Sequence, residues 1–254
     1  MPDDPPPYRA GDPVRAGIPE HGRVPRYYAL KADLLDLIDT LGEGAGLPSE
    51  REIAERFEVS RMTVRQAVGE LVLEGRLQRR QGAGTFVAPP KLEQPFGLVS
   101  YTEDLRKRGF ETSRALITLE HIVAGGALAT ELGVRPGAMV VHVERVLLAD
   151  GERVGLESIY LAADRYPDLV ATFDPATSLY NHLRDRYGVR FAEADERVET
   201  VLATPREALL IGTNPALPML LLNRLSRDPS GEPIERGRSL FRGDRFSLVA
   251  HLRG

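Results

Sequence analysis

"LPSEREIAERFEVSRMTVRQAVGELVLEGRLQRRQGAGTFV", residues 47–87, decides the fold of the N-terminal part of the chain. Ser49 followed three residues later by Glu52 is the reciprocal capping arrangement that starts a helix, and Ile53, Ala54 and Phe57 give that helix one apolar face. After a turn of about three residues, Ser60 is placed to cap the next helix. Val64, Ala67, Val68, Leu71 and Val72 recur along it at helical spacing, and Gly75 supplies the stop. With that stripe turned inward, Arg61, Met62, Thr63, Arg65 and Gln66 remain around the outer side, and Arg61 and Arg65 lie one turn apart.

Upstream, Leu30, Leu34, Leu37, Ile38 and Leu41 predict another helix, beginning after Pro25 and ended by "GEGAG". Downstream, extended pieces at 77–80 and 85–88 flank a tip containing two glycines, which reads as a β-hairpin carrying Arg79 and Arg80. The N-terminal half is therefore expected to hold three short helices followed by a basic hairpin.

The chain of 254 residues, 42% hydrophobic and 28% charged, is long enough for two domains and has ordinary globular composition. It contains no cysteine, which excludes a disulfide framework, a thiolate metal centre and a thiol nucleophile. With no apolar run of membrane-spanning length and no basic, apolar leader at its start, the expected location is cytoplasmic. A net charge of −4 gives the whole chain no attraction for nucleic acid. Positive charge is local instead: Arg61, Arg65, Arg76, Arg79 and Arg80 stand against only Glu70 and Glu74 between residues 60 and 90.

Residues 1–24, rich in proline and almost without apolar pattern, are expected to form a disordered tail. Residues 25–88 hold the helices and hairpin, the prolines of "PPKLEQP" mark a linker at 89–96, and 97–254 form a second domain. There, apolar runs at 139–149, 154–161, 217–226 and 245–250 read as strands, with "ADGE" and "DPSGEP" as turns, while "ALATELGV" and "SLYNHLRDRYGV" have helical spacing. The expected class is α+β with an antiparallel sheet at its centre.

A capped helix with an arginine-bearing outer side has the right shape for the DNA major groove, where arginine can fork onto guanine or meet a phosphate. The glycines of the hairpin tip allow backbone N–H groups to approach phosphate closely. Together these segments closely resemble the winged helix-turn-helix of the GntR family of bacterial transcription regulators, through the "LPSER" start, the "VSRMTVRQAV" core and the "GxGTFV" wing. That resemblance implies that Arg51, Arg61, Thr63 and Arg65 meet phosphates and base edges of double-stranded operator DNA, and that Gln81, Gly82 and Gly84 lie at the wing tip near the minor groove.

The second domain resembles the UTRA effector domain of the HutC subfamily, whose fold is like that of chorismate lyase, through "SYTEDLRKRG", "VERVLLADGERVGLESIYL" and "GEPIERGRSLFRGDRFSL". The resemblance implies a small-molecule effector pocket formed by Ser100, Tyr101, Thr102, Arg145, Glu157, Glu235 and Phe241, and a homodimer. An inward arginine suits an anion such as a sugar phosphate, and an inward carboxylate suits hydroxyls or an amine. Leu147 stands where sugar-phosphate binders of the subfamily often carry a second arginine, and Phe241 where a tyrosine is frequent. Arg236 and Arg238 are candidates to compensate, or else solvent-facing strand residues.

The expected function is that of a sequence-specific DNA-binding regulator, a repressor controlled by a metabolite, with no cofactor, metal or membrane involved. Two other readings stay open from the residues: a lyase-like enzyme, although the five histidines are scattered, and a protein-interaction module in which the basic hairpin meets an acidic partner.

Overall fold

The computed structural model describes residues 26–80, 82–97 and 105–251. The expected tail at 1–24 and the candidate site residues Gln81, Ser100, Tyr101 and Thr102 lie outside the described residues.

Helix α1 (Arg26–Leu41) turns Leu30, Leu34 and Ile38 inward, where they meet Ile53 of α2 (Glu50–Arg56) and Val64, Ala67, Val68 and Leu71 of α3 (Arg61–Leu73). Ser49 accepts from Glu52 N while the Glu52 carboxylate accepts from Ser49 N, and Ser60 accepts from Thr63 N. Caps of this kind contribute about 1 kcal/mol each, so both helix starts are fixed by local sequence. Strands β1 (Leu77–Arg80) and β2 (Gly84–Val87) close the hairpin with Arg80 opposite Gly84. Leu77 and Val87 drop into the same core as the helices, which fastens the hairpin to them.

The expected linker is not free chain. Within it, β3 (Leu92–Pro95) pairs in parallel with the last strand, β10 (Phe246–Val249). Lys91 Nζ donates to Gly243 O at 2.7 Å, and Arg245 Nη1 donates to Pro89 O at 3.1 Å, so the first proline's carbonyl and the side chain after the second are held by the second half.

The second half is a six-stranded antiparallel sheet of β4 (Thr112–Val123), β5 (Met139–Ala149), β6 (Glu152–Ala162), β7 (Glu193–Leu202), β8 (Pro218–Arg227) and β9 (Pro233–Arg242), in the order β4-β5-β6-β9-β8-β7. The β5–β6 turn has Asp150 at φ 47° and Gly151 at φ 76°, the left-handed pair that a two-residue hairpin needs. Among the described residues, the helices beside the sheet include α4 (Gly126–Glu131), α5 (Leu169–Thr172), α6 (Leu179–Tyr187) and α7 (Pro205–Ile211). Leu169, Phe173, Leu179 and Leu183, on and beside α5 and α6, pack against Val141, Val143, Ile159 and Leu161. Ala208 and Ile211 of α7 pack with Val146, Leu156 and Leu240 in a separate cluster.

Three strands of the six-stranded sheet lie outside the predicted apolar runs, for two reasons. The edge strands β4 and β7 leave much of their length exposed, so they carry polar residues. In β9 the positions facing inward include Glu235, Gly237 and Ser239, which line a polar cavity rather than an apolar core.

Candidate functional site

Two regions bring chemistry-bearing side chains together. The first is the outer side of α3. Arg61, Met62, Arg65 and Gln66 are exposed there, Met62 to 70%, while Val64, Ala67 and Val68 are buried beneath them. Thr63 Oγ1 lies 2.9 Å from the capping Ser60 Oγ, at the positive end of the helix.

Arg65 is not loose. Its Nε and Nη2 donate to Glu50 Oε2 at 3.2 and 3.0 Å, and Arg79 of the hairpin approaches the other oxygen of Glu50 at 3.9 Å. One carboxylate at the start of α2 thus steadies arginines from both the helix and the hairpin. Arg51 is exposed beside it and reaches Glu55 at 3.5 Å. At the hairpin tip, Gly82 and Gly84 have φ of 72° and 117°, which a side chain would oppose, and Arg80 stacks its guanidinium 4.5 Å above the Phe86 ring. The arrangement presents positive charge and close-approach backbone on one side of a compact unit, as a phosphate backbone requires.

The second region is a cavity of about 80 Å³ on the α6 side of the sheet. Strand register builds it. Arg145 lies opposite Glu157, Glu157 opposite Ser239, and Ser239 opposite Leu222. The neighbouring row runs from Arg114 through Leu147 and Gly155 to Phe241. Gly237 and Ser239 at the centre are too small to fill the space between the longer side chains, and a hollow results.

The cavity is walled by charge of both signs: Arg114, Arg145 and Arg224 with Glu157, Glu196 and Glu235. Arg145 is 1% exposed and largely committed, its Nη1 donating to Pro175 O and Thr177 O at 3.1 and 3.0 Å and its Nη2 meeting Glu157 Oε1 at 2.6 Å. Arg114 Nε stands 3.5 Å from the same Glu157 oxygen. Arg224 donates to Glu196, to Tyr180 Oη and to Gly97 O.

Glu235 accepts from Tyr180 Oη and Ser226 Oγ through one oxygen only; its Oε2 is buried without a hydrogen-bond partner. Burial pushes the Glu235 carboxyl above the usual carboxylate range, although the Tyr180 hydrogen bond and the Arg224 charge pull the other way. Burial likewise pushes the Tyr180 phenol well up, so it stays a donor at neutral pH.

Arg145, Glu157, Glu235 and Phe241 are brought together in this cavity, and Leu147 lines it. Arg236 and Arg238 are not: strand alternation sends them to the other face, where they pair with Glu131 and Glu207 at 2.8 and 2.7 Å. Neither can take the place of an arginine at position 147. The sequence reading missed Gln94, Arg114, Tyr180, Glu196 and Arg224. Charged residues within otherwise apolar strand patterns, such as Arg224 in "MLLLNRLS", were the available signal. Among the described residues there is no group of three or more His, Asp or Glu that could hold a metal ion.

Comparison with known proteins agrees with this two-part layout. The model of the gntR family of bacterial regulatory proteins matches residues 26–87, and the UTRA domain model matches residues 107–247. The chain is 46% identical to the HTH-type transcriptional repressor PhnF of Mycolicibacterium smegmatis over 228 residues, 90% of this chain and 93% of that one. It is 35% identical to the HTH-type transcriptional repressor NagR of Bacillus subtilis over 238 residues, 92% of this chain and 98% of that one. It is 32% identical to a histidine utilization repressor of Pseudomonas putida, over 93% of this chain and 96% of that one. The crystal structure of PhnF from Mycobacterium smegmatis superposes with a TM-score of 0.66 at 45% identity, covering 89% of this chain and 99% of the other.

Proposed function

Because the chain belongs to the GntR family of bacterial regulatory proteins, with a UTRA domain as its second half, we propose that it is a repressor whose hold on operator DNA is set by a small metabolite. It is a DNA-binding transcriptional regulator and not an enzyme. Helix α3 enters the major groove with Arg61, Thr63 and Arg65, Arg51 meets a phosphate, and the tip at Gln81, Gly82 and Gly84 reaches toward the minor groove. The repressor reading is supported by the names of the relatives at 46, 35 and 32% identity.

The observation that carries the effector reading is the cavity, where Glu235 Oε2 and Arg145 Nε are buried with no partner of their own. A buried carboxylate oxygen needs a donor and a buried guanidinium N–H needs an acceptor. A small anion that also bears hydroxyl or amino groups supplies both, and the effector is of that class. Leu147 removes one arginine from such a site, while Arg114 and Arg224 bring two others to it.

The regulator works as a homodimer in the cytoplasm, each copy reading half of a two-fold operator. Leu116, Ile117 and Val123 on the exposed edge strand β4 support an apolar contact between copies. No helix among the described residues is long and apolar enough to cross a membrane.

The test combines two measurements. Thermal shifts against sugar phosphates, free sugars, amino acids and small carboxylates identify compounds that bind the native state, because such binding raises Tm. Fluorescence anisotropy then follows operator affinity with and without each hit. An affinity unchanged by every stabilising compound sinks the effector reading.

A further inference from the structure

One wall of the cavity comes from the linker rather than from the sheet or its helices. We propose that Gln94, on the interdomain strand β3, contacts the effector directly, so that the connection to the DNA-binding half is itself part of the binding site. The inference rests on reading the cavity as the effector site, and it adds how occupancy reaches the rest of the molecule.

Within β3 the side chains alternate: Leu92 and Gln94 are buried and Glu93 is exposed. Leu92 joins the apolar cluster of Phe241 and Phe246. Gln94 is 7% exposed, lines the cavity, and has an Oε1 with no hydrogen-bond partner. An apolar residue would suit a purely structural position on this strand, as Leu92 does. A buried amide oxygen left without a donor is unfavourable, and its residue lines the same cavity as Glu235, whose Oε2 is also buried without a partner. The walls of one cavity thus hold two unpartnered acceptors from distant parts of the chain, together with the unpartnered Nε of Arg145. This pattern selects a ligand with at least two donor groups, hydroxyl or ammonium, beside an acceptor or anionic group.

The placement has a mechanical consequence. Strand β3 is held to the second half by its pairing with β10, including Leu92 N to Arg245 O at 2.8 Å and Phe96 N to Val249 O at 3.0 Å. At its other end the chain runs back through Pro90 and Pro89 to β2, the second strand of the hairpin. A ligand bonded to Gln94 favours the conformation in which β3 is docked, and so biases where the hairpin and α3 are held. That is the differential interaction between two states that any ligand-driven change requires.

The absence of cysteine from the chain permits a direct test. The Gln94→Cys variant carries a single thiol, and 2-aminoethyl methanethiosulfonate would attach an ammonium group there, within the space faced by Glu235. The duplex is one selected from a random pool by the wild-type protein. Modification of Gln94→Cys is expected to change duplex affinity by at least about fivefold, the lower end of ordinary allosteric coupling, while modification of the neighbouring Glu93→Cys changes it by less than about twofold. An affinity unmoved by modification overturns the inference, as does a thiol that reacts in urea and not in the folded protein. Failure of the wild type to select any duplex overturns the proposed function instead.

A second variant covers the case in which Gln94→Cys does not fold. Gln94→Leu keeps most of the volume and loses the polar atoms, and it should bind at least about tenfold more weakly whichever of glucose 6-phosphate, glucosamine, serine or malate stabilises the wild type. Unchanged binding of that compound, with the wild-type duplex affinity intact, overturns the role of Gln94 and leaves the cavity as the effector site.

Discussion

Gly75, just past α3, rests against the backbone of Asp244: a Cβ built on Gly75 would lie 2.0 Å from the Asp244 carbonyl oxygen and 2.8 Å from its carbonyl carbon. Gly75 also has φ of 73°, so both its own conformation and its neighbour exclude a side chain. Asp244 is anchored in turn by Arg242, and Arg242 and Arg245 both reach Glu152 at the start of β6. The helix that carries Arg61 and Arg65 is therefore seated on a braced turn of the second half.

Gly75→Ala is expected to push the two halves apart at this point. The strain and the collision together should cost about 2 kcal/mol, lowering Tm by roughly 4–8 °C. Cleavage by a protease between residues 88 and 96 should speed up as β3 loosens. Calorimetry and limited proteolysis check this; an unchanged Tm and cleavage rate would mean that the contact does not persist in solution.

The Glu50–Arg65 pair should govern the balance between specific and general DNA binding. Arg65→Ala is expected to weaken operator binding by about 1–3 kcal/mol if its guanidinium forks onto a base. Glu50→Gln removes a negative charge from the basic face and frees Arg65 and Arg79. It should therefore tighten binding to unrelated DNA and narrow the gap between operator and non-operator sequences. Anisotropy titrations at two salt concentrations separate the effects, and a Glu50→Gln protein with wild-type discrimination contradicts this role.

Glu235 predicts a pH dependence of known sign. Its carboxyl is raised in the folded protein by burial, so the native state holds that proton more tightly than the unfolded chain does. The stability linked to it is fully present below the unfolded pKa, about 4.3, and is lost as pH rises through the folded value. Glu235→Gln should remove that loss, raising Tm at neutral pH relative to wild type while weakening effector binding. Urea denaturation across pH 4 to 8 tests it; parallel wild-type and variant profiles would refute the assignment.

Arg145 should prove indispensable to the fold as well as to the cavity. Its removal leaves the buried Glu157 with only the more distant Arg114 and takes the donor from the carbonyls of Pro175 and Thr177. Arg145→Ala is accordingly expected to cost about 3–5 kcal/mol, and Arg145→Ala with Glu157→Ala less than the sum of the two single changes. A double-mutant cycle by chemical denaturation decides it, and strict additivity would show that the pair does not interact.

The DNA-binding half was legible in the sequence because its determinants are local. Ser49 with Glu52, Ser60 ahead of α3, and the apolar stripe of Val64, Ala67, Val68 and Leu71 act within one or two helical turns of each other. Arg145, Glu157, Glu235 and Phe241 could be proposed for one site through resemblance to a known domain. Gln94 and Arg114 could not, since nothing near them in the chain distinguishes an inward polar side chain from a solvated one, and Arg224 offered only its place inside the apolar run "MLLLNRLS".

The sequence by itself determined where the three N-terminal helices begin and end, which arginines ride on the outer side of α3, and that part of the second half alternates as strands. Alternation with a period of two divides a strand between two faces and is silent about which face closes over a cavity. Only the tertiary structure decided that Glu235, Gly237, Ser239 and Phe241 face the hollow while Arg236 and Arg238 face away. It alone decided that the linker forms a strand beside β10, because that pairing joins residues 92–95 to residues 246–249. The hydrogen bonds that make such a partnership are backbone groups common to every residue, so no side chain in the sequence announces it.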